Sequence, residues 1–233
     1  MDTQLKENLE FSINTPKHDL LSLEVNTHEK DLIRKTDLSN VKHKKYDFGK
    51  DKSVSVYDGI YDYSEVSGIY NALTHGDFKL ANANRGDVQT LQDRKLVSYV
   101  TPQILDSIHF WDGPLDTIIK EQIPLDEYSI FKAYVNLGLY TDTHEVHADH
   151  YYDRAGKTLL YYVNETWNRD WGGETQFLDQ NAEEVLFTSS FVPGRVVIFD
   201  SNIPHAAKPQ SINGPAYRFT LAIKFFKNDE KYR

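Results

Sequence analysis

The sequence predicts an α+β fold that is mainly β, in which N-terminal helices support a β-barrel or jelly roll. Two observations lead to this class. Apolar residues at helical spacing occur only before about residue 125. After about residue 130 the chain consists of short segments rich in Phe, Tyr, Val and Leu, which Gly, Pro, Asn and Asp interrupt. Short strands at such close spacing are typical of sandwiches and barrels.

The first predicted elements are a strand and a helix. Alternation of apolar and polar residues over Ser53-Val54-Ser55-Val56-Tyr57 indicates a half-buried strand. Asp62 and Glu65 then form the pattern of a capping box, and Gly76 suits the end of a helix. Between them, four apolar residues follow the spacing of one helix face: Val66, Ile69, Tyr70 and Leu73.

A second helix and six strands are predicted next. Pro114 suits the first turn of that helix. Its apolar face comprises Leu115, Ile118, Ile119 and Ile123. The strands are predicted near residues 130–136, 158–163, 174–178, 185–191, 195–199 and 217–226.

Composition excludes several kinds of site. The 233 residues include no cysteine, so disulfides, thiolate zinc sites, iron–sulfur clusters and a cysteine nucleophile are excluded. Any metal must therefore have nitrogen and oxygen ligands. The net charge of −9 argues against a broad nucleic-acid or anionic-membrane surface. No secretory signal and no apolar run of about 20 residues, the length that spans a bilayer, is apparent, so we expect a soluble cytoplasmic protein.

The first 50 residues differ from the rest of the chain. Their acidic and basic residues balance, so the net charge falls on residues 51–233, which we expect to form one globular domain. We interpret residues 1–50 as a polar N-terminal extension that is solvated. The basic tract Lys42-His43-Lys44-Lys45 leaves contact with a nucleic acid or a partner as the alternative.

A histidine-rich segment predicts a metal site. His144, Glu145 and His147 miss the zinc-protease spacing by one residue, so a hydrolytic zinc enzyme is disfavoured. In extended chain, His147 and Asp149 project to the same side and can bind one ion. His205 is the best third ligand, because two histidines and a carboxylate form the facial triad of non-haem Fe(II) oxygenases. We expect no direct ligation by His144 or His150.

A second candidate residue is Arg218. Alternation along the last strand puts four apolar residues on the core face: Phe219, Leu221, Ile223 and Phe225. Arg218 and Thr220 then face the barrel interior. An interior arginine is costly without a partner, and it would suit a small dicarboxylate, which guanidinium binds through two hydrogen bonds. The alternative is an arginine at the rim, paired with Asp or Glu.

These residues carry a resemblance to a known family. The run from about Phe131 to Phe226 resembles the catalytic double-stranded β-helix, a jelly-roll or cupin-like barrel, of Fe(II)/2-oxoglutarate-dependent dioxygenases. It looks most like the prolyl 4-hydroxylase-like branch. The matching segments occur in family order: Tyr134, His147-Ala148-Asp149, Leu160-Tyr161-Tyr162-Val163-Asn164, Trp171-Gly172-Gly173-Glu174-Thr175, Pro193-Gly194-Arg195-Val196-Val197-Ile198-Phe199, His205 and Arg218-x-Thr220. The resemblance implies that residues 51–233 form a dioxygenase domain with its core at about 131–226.

The resemblance also implies roles for individual residues. Fe(II) would be bound by His147, Asp149 and His205. The co-substrate 2-oxoglutarate would pair its far carboxylate with Arg218, helped by Thr220 and by the Tyr162 hydroxyl, while Tyr134 would line the pocket. Either tyrosine could equally be a core aromatic whose hydroxyl is satisfied within the protein.

The reaction implied is hydroxylation of an unactivated C–H bond with O2 as co-substrate, releasing succinate and CO2; ascorbate can be a further requirement. Related halogenases lack the carboxylate that Asp149 provides, so hydroxylation is favoured. The substrate expected is peptidyl proline or a related amino acid, free or within a peptide or protein. The alternative is a catalytically silent barrel that binds a metal or a small acid as a sensor or scaffold.

Two further observations concern the substrate. Lys224 stands six residues after Arg218, where some relatives have an aromatic residue, and no second arginine follows as it does in DNA-repair oxygenases. With the acidic charge, this argues against a nucleic-acid substrate. A peptide would need an open groove, for which loops 77–93 and 164–172 are the candidates.

Overall fold

The structure, a computed structural model, describes residues 37–80, 96–142, 144–149 and 156–228, which contain eleven strands, three α-helices and a 3-10 helix (Arg169–Trp171). The helices are α1 (Tyr63–Thr74), α2 (Pro102–Ser107) and α3 (Pro114–Gln122). The strands are β1 (Lys42–Asp47), β2 (Ser53–Asp58), β3 (Lys79–Leu80), β4 (Leu96–Tyr99), β5 (Tyr128–Gly138), β6 (Gly156–Tyr162), β7 (Thr175–Leu178), β8 (Val185–Ser189), β9 (Val196–Asp200), β10 (His205–Ala207) and β11 (Arg218–Lys227).

Both predicted helices are confirmed. α1 begins with the predicted capping box: the Asp62 carboxylate accepts a hydrogen bond from the Glu65 amide, and the Glu65 carboxylate accepts one from the Asp62 amide. Pro114 occupies the first turn of α3. α2 was not predicted, because six residues are too few to establish a helical period. In the described part of the chain, no helix is long and apolar enough to cross a membrane.

The strands form two antiparallel sheets. The large sheet has the order β1-β2-β9-β6-β11-β5-β4-β3, and the small sheet has the order β10-β7-β8. All six strands predicted after residue 125 are present, as β5 to β9 and β11. The unpredicted β3 and β10 have two and three residues, which is too short for a recognisable alternation. β4 was also missed; it has four residues, as many as the predicted β7.

The two faces of the large sheet carry separate hydrophobic clusters. The helices pack on one face, where alternate residues of β11, such as Leu221 and Ile223, meet Leu115 and Ile119 of α3 in one cluster. The other face meets the small sheet in a second cluster, which includes Phe177 of β7. This arrangement is the predicted double-stranded β-helix supported by helices, and the fold class is confirmed.

β1 lies within the region interpreted as an extension. It pairs with β2 throughout its length and forms an edge of the large sheet, so the sheet begins before the boundary predicted at residue 50. The basic tract is therefore an exposed edge strand, where lysines suit the solvent. Residues 1–36 lie outside the described residues. β2 itself is buried on both faces rather than half-buried, because helices cover one face and the small sheet the other.

Candidate functional site

The three predicted ligands converge. One ligand atom from each of His147, Asp149 and His205 lies within 4.8 Å of the others. The Nε2 atom of His147 is 3.7 Å from Oδ1 of Asp149, and Nε2 of His205 is 3.7 Å from Oδ2 of the same carboxylate. Two imidazole nitrogens and a carboxylate thus surround one point.

Backbone hydrogen bonds hold the ligands together. His147 and His205 each donate their amide N–H to the other's carbonyl, over 3.0 and 2.8 Å. The Asp149 amide donates to the Ser201 carbonyl over 2.6 Å. The prediction that His147 and Asp149 converge is therefore correct, although residues 144–149 form a single bridge at His147 rather than a strand. His205 opens β10, which positions it beside Phe177 of β7.

Hydrogen bonds also orient the two imidazoles. Nδ1 of His147 is 3.0 Å from the Glu145 carbonyl oxygen, and Nδ1 of His205 is 2.9 Å from that of Ile203. Because a carbonyl can only accept, Nδ1 carries the proton in both rings. In a neutral ring Nε2 then has the free lone pair, which is the tautomer that a metal ligand requires.

Asp149 is buried and has a partner at each oxygen. Oδ1 accepts a hydrogen bond from the Lys224 ammonium over 2.6 Å, and Oδ2 accepts one from the Thr158 hydroxyl over 2.9 Å. Burial alone would raise the pKa of Asp149. The charge of a protonated His205 and the Lys224 ammonium outweigh burial and hold the pKa well below its usual range. The carboxylate is therefore ionised, as a ligand must be.

Arg218 lines the same cavity and lies six residues along β11 from Lys224, the residue that contacts Asp149. Its Nε donates to the Gly173 carbonyl over 2.7 Å, and Nη2 donates to Oγ1 of Thr175 over 3.4 Å. It is buried, and within the described residues no carboxylate lies within 4.0 Å of it, so the alternative of a paired arginine at the rim is wrong. Burial lowers the pKa of Arg218 to about 10. A buried cation with no carboxylate in direct contact indicates an anionic ligand, although the more distant Glu174 carboxylate favours the charged form.

The cavity between these two groups has about 620 Å³ of empty space, part of it open solvent. The three ligands and Arg218 line it, together with Thr220 and Tyr134, as predicted. His144 also lines it but lies outside the group of three ligands, and His150 lies outside the described residues.

Tyr162 does not reach the cavity wall. Its ring is fully buried, and its hydroxyl donates to Thr175 Oγ1 over 3.0 Å and contacts the Ser189 carbonyl oxygen at 3.3 Å. Thr175 of β7, which accepts this hydrogen bond, lines the cavity, whereas Tyr162 is not among the lining residues. The predicted contact between Tyr162 and a bound carboxylate stays a prediction. Thr175 was missed as a site residue, although it ends the Trp171-Gly172-Gly173-Glu174-Thr175 motif. Asn136 of β5 was missed as well; it lies opposite Thr220 in the sheet and lines the cavity.

Comparison with known proteins identifies the family. Residues 134–226 match the model of the 2OG-Fe(II) oxygenase superfamily, where 2OG is 2-oxoglutarate. This range includes the three converging ligands and Arg218. This region belongs to the 2OG-Fe(II) oxygenase superfamily. The predicted superfamily is confirmed, and with it Fe(II) and 2-oxoglutarate as cofactors and O2 as co-substrate.

Solved oxygenases and hydroxylases share the fold of this oxygenase at low sequence identity. A prolyl-4-hydroxylase from Pseudomonas putida is 18% identical and matches over 82% of this chain and 96% of its own, with a TM-score of 0.53. A prolyl hydroxylase from Trichoplax adhaerens, solved with a peptide fragment of the hypoxia inducible factor oxygen degradation domain, is 22% identical over 77% and 85%, with a TM-score of 0.53. HygX from Streptomyces hygroscopicus, solved with nickel and 2-oxoglutarate, is 11% identical over 74% and 82%, with a TM-score of 0.54. No curated protein matches the sequence significantly.

The donor set of this oxygenase fits Fe(II). Imidazole and carboxylate are the ligands of non-haem Fe(II) sites, and three ligands on one side leave further coordination positions open. The protonated Nδ1 atoms, the ionised carboxylate and the bonds that orient all three side chains meet the conditions for metal binding. His147, Asp149 and His205 are therefore the residues that would bind the iron.

Gly173 supports the arginine end of the oxygenase cavity and gives a first prediction. Its φ of +77° is in the left-handed region, and an added Cβ would lie 2.8 Å from Cζ2 of Trp167 and 3.3 Å from Cδ of Arg218. We expect Gly173→Ala to reduce the free energy of unfolding by about 2 kcal/mol, from the backbone conformation and the overlap. Since its carbonyl accepts from Arg218, we also expect the KM for 2-oxoglutarate to rise several-fold.

Gly68→Ala in α1 is the matched control for this substitution. An added Cβ there has no atom within 4 Å, and alanine favours the helix by about 0.5–1 kcal/mol. Thermal unfolding and a 2-oxoglutarate titration compare the two variants. Equal unfolding temperatures for Gly173→Ala and the wild type, with an unchanged KM for 2-oxoglutarate, would contradict the role of Gly173 in positioning Arg218.

Proposed function

We propose that this oxygenase hydroxylates an unactivated C–H bond of peptidyl proline or a related amino-acid substrate and converts 2-oxoglutarate and O2 to succinate and CO2. One observation carries the proposal. The three converging ligands line the same cavity as a buried arginine that has no carboxylate within 4.0 Å in the described residues. A dicarboxylate that also has a keto group beside one carboxylate matches both groups.

The two ends have distinct roles in the proposal. Arg218 and Thr220 would bind the far carboxylate of 2-oxoglutarate, which leaves its keto acid end directed to the metal. Thr175 would assist, because its hydroxyl contacts both Arg218 and Tyr162. Tyr162 would act indirectly, by orienting Thr175. Bound Fe(II) would supply the activation of O2, while these residues set the position and polarity of the co-substrate.

Exposure within the cavity indicates where the substrate enters. Arg218 is 4% exposed, whereas the His147 side chain is 39% exposed. The co-substrate would therefore occupy the deep end, and the C–H bond would approach from the side of His147. Trp167, within segment 164–172, stacks on Phe191 beside Arg218, so it would cover the co-substrate there. Of the other loop considered for a peptide groove, residues 81–93 lie outside the described residues.

The carboxylate of Asp149 supports hydroxylation over halogenation. It occupies the position that must be vacated for a halide to bind the metal, and partners at both oxygens hold it in place. The amino-acid substrate is supported by the fold shared with prolyl hydroxylases, one of which was solved with a peptide.

A succinate-release screen tests the proposal. The protein, Fe(II), 2-oxoglutarate, O2 and ascorbate would be incubated with proline-containing peptides, with free amino acids and with nucleosides. We expect succinate formation above the uncoupled level with a peptide or amino acid, together with a product about 16 mass units heavier, the mass of one inserted oxygen atom. Stimulation by nucleosides alone would contradict the substrate class. Metal and 2-oxoglutarate binding with no succinate from any mixture would favour a silent barrel that acts as a sensor or scaffold.

A further inference from the structure

We propose that Lys224 is a built-in counter-ion of Asp149, which neutralises this carboxylate in the metal-free protein and lowers the affinity of the site for its metal. The inference rests on the proposed metal site and adds a positioning residue to it. The contact that carries it is the 2.6 Å bond between Nζ of Lys224 and Oδ1 of Asp149.

The sheet directs Lys224 to this carboxylate. Lys224 lies on β11, opposite Thr158 of β6 and Lys132 of β5, and the three residues share a face of the sheet. Lys224 and Thr158 each bind one oxygen of Asp149, so two adjacent strands clamp both oxygens. The lysine and aspartate side chains are 18% and 4% exposed, which limits how far water can replace either partner.

The clamp neutralises a buried charge. A buried carboxylate with no cation beside it is strongly disfavoured. In the described residues, the salt bridges to Asp149 come from Lys224 and the two histidines, and Lys224 is the one whose charge does not depend on protonation of an imidazole. Lys224 therefore supplies, in the metal-free protein, the compensating charge that a metal supplies when it binds.

The same contact must oppose the metal. A dication bound to Asp149 would lie within a few ångströms of the ammonium, and like charges repel strongly where water is scarce. Lys224 has little room to withdraw, because the Tyr134 ring lies 5.5 Å from Nζ and Lys132 faces it across the strands. Lys224 is not among the residues that line the cavity, so it contacts the metal-ligating residue Asp149 and not a bound substrate.

Lys224→Met tests the proposal, because methionine keeps an unbranched apolar stem and removes the charge. Mn(II) is the probe, since it does not oxidise readily in air, and calorimetry on the metal-free protein gives its Kd without 2-oxoglutarate. We expect Lys224→Met to bind Mn(II) at least about tenfold more tightly than the wild type. We also expect the metal-free variant to unfold several degrees lower, with most of that loss recovered in saturating Mn(II).

Two controls isolate the charge at this position. Lys227→Met alters the same strand, but Lys227 is an exposed residue that pairs with Glu127, and we expect it to leave the Kd for Mn(II) unchanged. Lys224→Arg keeps the charge and should bind Mn(II) within about threefold of the wild type. If metal-free Lys224→Met does not fold, folding on addition of Mn(II) supports the proposal, and the milder Lys224→Gln provides the Kd.

The results separate this inference from the proposed metal site. One outcome would overturn the counter-ion role of Lys224 and leave the metal site standing. In that outcome the wild type binds Mn(II) and His205→Ala does not, while Lys224→Met and Lys224→Gln bind Mn(II) no more tightly than the wild type. Failure of the wild type to bind Mn(II) at all would overturn the metal site as well.

Discussion

Replacing His205 with alanine is expected to lower succinate formation from 2-oxoglutarate by at least about 10³-fold and to weaken Mn(II) binding by at least about 10²-fold. Loss of a residue that merely orients a ligand costs about 10- to 100-fold in affinity, so loss of a ligand itself should cost more. The His205 side chain is nearly buried, and its Nε2 faces Asp149. Turnover assays and calorimetry with Mn(II) measure the two effects.

His144→Ala provides the matched control. His144 lines the same cavity but lies outside the group of converging ligands. We expect this variant to bind Mn(II) within about threefold of the wild type, because no ligand is removed. Equal losses of Mn(II) affinity in both variants would show that the assignment of the third ligand is wrong.

Replacing Arg218 with methionine is expected to raise the KM for 2-oxoglutarate by about 10²- to 10³-fold. Truncating one partner of a buried, hydrogen-bonded charge pair costs about 2–5 kcal/mol, and each 1.4 kcal/mol is a tenfold change in binding. Methionine keeps an unbranched apolar stem but removes the guanidinium, whose Cζ lies 5.2 Å from the Phe191 ring and 5.8 Å from the Tyr162 ring. The Arg218→Lys variant would keep the positive charge but lose the planar fork of the guanidinium, so an intermediate KM is expected.

A second keto acid makes this test specific. In 2-oxopentanoate a methyl group replaces the far carboxylate, so the wild type and Arg218→Met should bind it with similar affinity, measured by competition against 2-oxoglutarate. If Arg218→Met weakens 2-oxopentanoate as much as 2-oxoglutarate, Arg218 does not bind the far carboxylate. A KM for 2-oxoglutarate close to the wild-type value would contradict the role of Arg218 outright.

Two elements are predicted correctly from a long hydrophobic pattern. α1 has its apolar face and its capping box in one run of residues, and β11 alternates from Arg218 to Phe225. β10 has three residues, and β1 is mostly lysine and histidine, so neither has an apolar pattern to detect. β1 exists because β2 offers a row of backbone hydrogen bonds, which is a tertiary cause.

The candidate site shows the same limit at the level of side chains. Alternation along β6 predicts that Thr158 and Tyr162 share a face, which is correct, but it does not predict that Thr175 of the other sheet lies beyond Tyr162. Lys224 could be recognised only as a departure from relatives, because its partner Asp149 is 75 residues away in the chain. Spacing and alternation find residues on one strand, whereas contacts between sheets require the fold.

We expect one cavity to bind Fe(II) at His147, Asp149 and His205 and to hold 2-oxoglutarate between the metal and Arg218. An anaerobic titration with Fe(II) and 2-oxoglutarate, followed by visible absorption, measures both binding events together. We predict a weak charge-transfer band that requires both additions, that is lost in His147→Ala, and that needs much higher 2-oxoglutarate concentrations in Arg218→Met. Absence of the band in the wild type, or its survival in His147→Ala, would contradict the assignment of the metal and 2-oxoglutarate sites.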